Sequence, residues 1–205
     1  MYQRNNFLEI FRNKEKLLFL LKRGFEIKHK VIIFINIRIE TSFVMIDLPD
    51  IIEIKQLEKF SQKEGSRIKY KELLGIWKFH SVWKKGSDEK DNLSSSILQV
   101  LSAKLELQKK DSEESLNFKI KNSINFGLLN IKFLGEASLK GIRPLLPFYF
   151  KSLIISIGNI PIINKSLKKP EDKKMPFFSL IAISKEGNWM CARGKGGGLA
   201  IWIKS

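Results

Sequence analysis

The sequence predicts a mainly β protein, an antiparallel β-barrel preceded by one α-helix. Three observations predict it. From Glu72 onward, apolar and polar residues alternate with period two in about eight short runs separated by turn signals. Just before them, residues 47–69 carry a helical pattern. The chain then ends on GNWMCARGKGGGLAIWIKS, two alternating runs joined by glycines, which read as a β-hairpin. About eight strands with one apolar and one wet face suit a barrel that is filled by side chains or holds one small ligand.

Taken in order, residues 1–44 differ from the rest. Leu17 to Leu21 form a short apolar block, and Val31 to Ile46 is apolar but interrupted by Asn36, Arg38 and Glu40. Neither reaches the roughly 20 apolar residues of a membrane span. No small-x-small cleavage site follows the first block, and four glutamates with a single serine do not make a transit peptide. A strand with polar interruptions, a membrane-surface segment, or sequence upstream of a true start at Met45 are the options. Residues 1–44 therefore read as an extension and 45–205 as the domain, so a chain beginning at Met45 is expected to fold with the stability of the whole.

Asp47 or Asp50 can cap the helix, Pro49 fits its first turn and Gly65 can end it, giving a helix from about Asp50 to Gln62. Ile51, Ile54, Leu57 and Phe60 fall near helical spacing. The first strand then places Leu73, Gly75, Trp77, Phe79 and Trp83 on one face, opposite Lys78, His80 and Lys84. Residues 86–95 read as a polar loop. Ile97, Leu101, Ala103, Leu105 and Leu107 alternate next, residues 109–114 turn the chain, and Leu116, Phe118 and Ile120 follow. Leu129, Ile131, Phe133, Gly135, Ala137 and Leu139 give the cleanest alternation. A run to Ile157 carries Phe148, Phe150 and Ile154 on one face and Tyr149, Leu153, Ile155 and Ile157 on the other, so its inward face stays open. Gly158 and Pro161 end it, residues 166–174 form a basic loop, and a strand from Phe177 to Ile183 leads into the closing hairpin.

The 205 residues are 43% apolar and 28% charged, an ordinary globular balance. The net charge of +16, from 37 basic and 21 acidic residues, favours anionic partners: a lipid head-group surface, nucleic acid or an acidic protein. Cys191 is the only cysteine, and His29 and His80 lie far apart, so spacing supports neither a disulfide within the chain nor a metal site.

No catalytic constellation stands out, and no cofactor motif. G-x-S-x-G is absent, and the closing glycines fit neither a P-loop nor a dinucleotide fingerprint, because a strand follows them and Leu199 stands where a third glycine belongs. They either serve only the turn or, with Arg193 and Lys195, offer an anion-binding spot. Trp77, Phe79, Phe118, Phe133, Phe148 and Phe150 are core residues, or some of them line an apolar cavity for a lipid or pigment. His80, beside Lys78, reads as solvated. Lys168, Lys169, Lys173 and Lys174 are a solvated loop or a membrane-facing patch. Base stacking would need exposed aromatics among basic residues, and only Trp83 with Lys84 and Lys85, and Trp202 with Lys204, come close, so nucleic acid is the weaker partner.

Leu73-Leu74-Gly75-Ile76-Trp77 resembles the L-x-G-x-W opening of the plastid lipid-associated proteins, the fibrillins. Phe133-Leu134-Gly135-Glu136-Ala137 with Arg143-Pro144 is similar to the central strands of cyanobacterial members, and residues 192–202 to the family's closing R-G-x-x-G and apolar strand. The resemblance covers residues 47–205. Where members carry Y-L-D, this chain has Gly187-Asn188-Trp189-Met190, without the aspartate. The resemblance implies a lipocalin-like barrel that binds lipids or isoprenoid pigments and quinones without catalysis. It also implies a peripheral place on the cytoplasmic side of a cyanobacterial thylakoid or on lipid globules. Trp77, Phe79, Phe133, Phe148, Phe150 and Arg193 are the expected ligand contacts. The runner-up is a lipocalin-like phycobiliprotein lyase, with Arg193 pairing a bilin propionate. A basic nucleic-acid-binding barrel comes third.

Overall fold

The computed structural model describes residues 46–100, 102–110 and 116–205. The expectations for residues 1–44, for Leu101 and for most of the turn at 109–114 fall outside them. The described chain is mainly β. Its strands are β1 (Gly75–Trp83), β2 (Lys104–Lys109), β3 (Asn117–Phe126), β4 (Leu129–Ser138), β5 (Leu145–Ile157), β6 (Ile160–Ser166), β7 (Phe177–Ile183), β8 (Trp189–Gly194) and β9 (Leu199–Lys204). Every pairing is antiparallel. Neighbours run β4-β3-β2-β1-β9-β8-β7-β5, and β4 also pairs with β5, so eight strands close in the up-and-down order of a lipocalin-like barrel. β6 pairs only with β5 and lies outside the closed ring.

Helix α1 (Ile51–Glu64) begins at a full capping box: Glu53 N–H donates to Asp50 Oδ1 at 2.8 Å, and Asp50 N–H to Glu53 Oε2 at 3.0 Å. Gly65 ends it at φ 79°, its N–H on the Ser61 carbonyl. The buried stripe is Ile54, Glu58 and Ser61, so the packed face is rotated from the one expected and Phe60 is left exposed. The rotation has two polar causes. Glu58 meets Arg193 on β8, and the Ser61 hydroxyl donates to the Leu180 carbonyl at 3.5 Å. Around them Ile54 packs with Trp83, Ile181, Cys191, Leu199 and Ile201, an apolar layer on the outside of β7–β9. These strands are thus covered on both faces.

A short helix, α2 (Tyr70–Leu73), leads into β1. Trp77 and Phe79 point inward as expected, but the register of β1 against β9 slips between Phe79 and Ser81. His80 is the extra residue. The bulge flips the strand's phase, so Trp83 lies in the outer layer under α1 rather than beside Trp77. The polar loop expected at 86–95 holds for residues 86–91, but its end and the strand start expected at Ile97 are replaced by helix α3 (Asn92–Val100). Asp91 caps it through the Ser94 N–H at 3.0 Å and the Ser94 hydroxyl at 2.6 Å, and the Ser95 hydroxyl accepts from Val82 N–H. β2 starts only at Lys104.

A second bulge resolves the ambiguous run. Against β4, the register of β5 slips between Leu134 and Gly135, with Lys151 as the extra residue. Phe148 and Phe150 sit opposite Ala137 and Gly135, and beyond the bulge Leu153, Ile155 and Ile157 take over the same face opposite Phe133, Ile131 and Leu129. Only glycine allows this. A Cβ on Gly135 would lie 1.9 Å from the Tyr149 carbonyl oxygen and 2.7 Å from Phe150 Cα. Gly135→Ala should therefore lower stability by about 1–3 kcal/mol or more. A urea midpoint that does not move would show that β5 can shift away at no cost.

Past the bulge the chain turns at Gly158, φ 58°, into β6, a strand not expected from the sequence because Pro161 breaks its pattern. The barrel interior is filled chiefly by Leu73, Trp77, Leu107, Phe118, Ile120, Leu146, Leu180 and Met190. None of the described helices is long and apolar enough to cross a membrane.

Candidate functional site

Inward positions on five strands bring six aromatic rings into one run through the barrel. Phe133 on β4 meets Phe150 on β5 at 5.3 Å between ring centroids, and Phe150 meets Phe148 at 5.5 Å. Phe148 stacks on Phe178 of β7 at 5.0 Å. Phe178 then meets Trp202 of β9 edge-on at 5.4 Å, and Trp202 meets Phe79 of β1 at 6.3 Å. Offset and edge contacts of this kind are the favoured geometries for aromatic pairs. Phe133, Phe148 and Trp202 are buried, while Phe79, Phe150 and Phe178 are half-buried, so the run is both core and reachable from solvent. Small residues break it up: Ala200 packs against the same core, and Ala137 and Gly135 face Phe148 and Phe150.

Four of the six expected contacts, Phe79, Phe133, Phe148 and Phe150, are thus brought together. Phe178 and Trp202 complete the run and were missed. Their signal was present for Trp202, which alternates in phase with Ala200 on the face away from Leu199 and Ile201. For Phe178 the doublet Phe177-Phe178 hides which ring is inward.

Trp77 lies apart from these rings. It is 0% exposed, its indole N–H donates to the Leu73 carbonyl at 2.8 Å, and the Lys204 ammonium sits 4.9 Å over its ring. It ties α2 and the chain end to the barrel floor.

Arg193 lies on the outer face of β8, away from the interior positions Met190 and Ala192. Its guanidinium grips Glu58 bidentately, Nε to Oε1 at 2.6 Å and Nη2 to Oε2 at 2.5 Å, while Nη1 donates to the Gly197 carbonyl. Lys195 Nζ donates to the carbonyls of Lys173 at 2.7 Å and Met175 at 3.0 Å. Both cations of the supposed anion spot are therefore spent on the protein itself. The glycine loop is a turn: Gly197 takes φ 89°, and a Cβ there would strike the Lys85 side chain at 2.8 Å.

Two other features could carry chemistry. Cys191 is 1% exposed, and burial pushes its thiol up to about 12, which leaves it unreactive. His80 is half-buried with its Nδ1 2.9 Å from the Ser81 hydroxyl, and burial followed by Lys90 lowers its pKa, so it is less solvated than expected. Among the described residues no group of three His, Cys, Asp or Glu could hold a metal.

On the outer face of β4, Glu136 accepts from Lys151 at 2.6 Å, Lys110 at 2.9 Å and the Tyr149 hydroxyl at 3.0 Å. Lys151, then Lys110, hold its carboxyl down at about 2, against burial. A folded-state pKa below the unfolded value of about 4.3 means stability that is fully present above that value and lost as pH falls toward 2. Asp91, held at about 2 chiefly by the Ser94 hydroxyl, acts in the same window. Acid titration followed by circular dichroism should show stability falling between about pH 4 and pH 2. Glu136→Gln should flatten part of that fall, and an unaltered acid limb would show that its lysines give the carboxylate no net stabilisation.

No family model matches this sequence, and no curated protein matches it.

Proposed function

We propose that this protein is a fibrillin-type, non-catalytic binder of apolar molecules. It holds one lipid or isoprenoid, a carotenoid or quinone, against the aromatic run, and works as a peripheral protein at an anionic membrane, a cyanobacterial thylakoid. The observation that carries the reading is the run itself: six rings in contact across a closed barrel, three of them only partly buried. Flat polyene and quinone rings bind well to such surfaces. The floor of the barrel is packed, so the ligand occupies the part lined by Phe79, Phe150 and Phe178. The charge of +16 suits an anionic bilayer surface, and the sequence resemblance points the same way.

The competing readings lose their residues. The lyase reading used Arg193 for a bilin propionate, and that fork is bound to Glu58. The nucleic-acid reading needed Trp83 and Trp202 exposed for stacking, and they are 6% and 7% exposed.

Titration with β-carotene, a plastoquinone analogue and biliverdin tests the proposal. Trp202 sits in the run, so a bound carotenoid or quinone should quench tryptophan fluorescence saturably. Phe178→Ala should weaken binding roughly 5–10-fold, the worth of one aromatic contact. Binding of biliverdin alone, or of nothing apolar, sinks the reading.

A further inference from the structure

Beyond the barrel, two hairpins project together. β2 ends its pairing with β3 at Ser123, and β7 ends its pairing with β5 at Pro147. The ends of β3 and β5, with the start of β4 and all of β6, therefore form a sheet that leaves the ring. The two turns are tied: Gly158 N–H donates to the Leu128 carbonyl at 2.7 Å, and the Asn130 amide bridges the carbonyls of Leu128 and Gly158. By register one face carries Ile124, Ile131, Leu129, Ile155, Ile157 and Ile160. That face continues from Phe133 and Leu153 of the aromatic interior, with Asn122 and Lys165 flanking it at the junction. Toward the turns it is uncovered, with Ile157 52% and Ile160 68% exposed and Leu128, in the turn beside them, 71%.

Charge is arranged around it. Residues 122–131 and 152–164 contain no charged side chain, and each stretch is bounded on both sides by lysine: Lys121 and Lys132, Lys151 and Lys165. Register places the four at one level along the strands, Lys121 and Lys132 on the face away from the apolar one, Lys165 beside Leu153 and Lys151 at the bulge. Lys121 and Lys151 pair with Glu106 and Glu136. From Lys132 to Leu128 is four residues, about 13 Å of strand.

We infer that the tied hairpin tips dock into the head-group region of an anionic bilayer, with Lys132 and Lys165 resting on lipid phosphates and the apolar face forming the path by which a ligand passes between bilayer and barrel. This rests on the membrane part of the proposed function and names its surface. The span from the lysines to the tip slightly exceeds the roughly 5–10 Å to which an interfacial apolar face sinks, so only the tips enter the bilayer. Deeper burial is barred, since the edge of β6 that pairs with no described strand would carry its backbone groups into hydrocarbon. The same edge is ill-suited to a second copy of the chain: Pro161 removes a donor, and a bulge at Ile162 bends it.

The test uses the full chain with thiol-reactive NBD at Leu128→Cys or, on the opposite rim, at Ile142→Cys, which is 83% exposed. Buried Cys191 stays unlabelled. Vesicles are phosphatidylglycerol with phosphatidylcholine, or phosphatidylcholine alone. NBD at 128 should brighten and shift to the blue with anionic vesicles only, and NBD at 142 should not. Leu128→Asp with Ile160→Asp should weaken sedimentation with vesicles about tenfold or more, and Lys132→Glu with Lys165→Glu should weaken it most at low salt. Exposed positions leave the unfolding midpoint in place. If wild type binds vesicles while the tip variants bind equally well, or the probe at 142 responds instead, the docking face is overturned and the membrane reading stands. If no vesicle binds, both fall, and the ligand titration, run without vesicles, still judges the interior. A vesicle-free dimer that the Asp pair dissolves assigns the face to a second copy and overturns the inference.

Discussion

Trp77→Ala should cost roughly 3–5 kcal/mol of stability, the usual range for truncating a buried aromatic. Trp77 is fully buried, so the substitution removes the whole ring from the barrel floor. It also strips the Leu73 carbonyl of the indole N–H and the Lys204 ammonium of its ring. Leu73 is itself 0% exposed, so its orphaned carbonyl has little access to water. Chemical denaturation measures the loss. Trp77→Phe should keep most of the apolar contact and lose mainly the hydrogen bond, at about 1–3 kcal/mol. An unchanged midpoint for Trp77→Ala would mean that the floor of the barrel does not depend on this ring.

Glu58→Ala is expected to be nearly as severe, about 3–5 kcal/mol, because removing one member of a buried ion pair strands the other. The Glu58 side chain is 10% exposed and Arg193 30%. The pair joins residues 135 apart in sequence, so it fixes α1 against the closing hairpin. Arg193→Ala should cost more than Glu58→Ala, since it strands the more deeply buried carboxylate, whereas the partly exposed guanidinium left by Glu58→Ala is easier to hydrate. Glu58→Leu combined with Arg193→Leu should recover much of the loss, as apolar replacements of buried pairs do. A double-mutant cycle measures the coupling. Strict additivity would show that the two side chains touch without stabilising the helix.

Much of the architecture lies in the sequence itself. Period-two alternation places Trp77, Phe118, Phe133 and Ala137 inward, because the pleat sends successive side chains to opposite faces whatever the neighbours are. Asp50 and Glu53 encode the helix start, because a capping box needs only residues three apart. The eight strands of the ring and the closing hairpin follow from the same local rules, whereas β6 does not. Four of the expected ligand contacts fall into one run for this reason.

What only the tertiary structure decides is where the alternation breaks and which charges meet. A bulge adds one residue to one strand, and nothing in the local pattern at His80 or Lys151 marks it; it shows only in the pairing across the sheet, opposite Trp202 and Ile201 for one and between Leu134 and Gly135 for the other. Each slip inverts every position beyond it, which moves Trp83 to the outer layer and Leu153 to Ile157 onto the projecting face. Arg193 looked free for a ligand because Glu58 is distant in sequence, and only folding brings them to 2.5 Å. The exposed tips were invisible for a related reason. Alternation says which residues share a face, but whether that face is covered depends on where the neighbouring strands β2 and β7 stop.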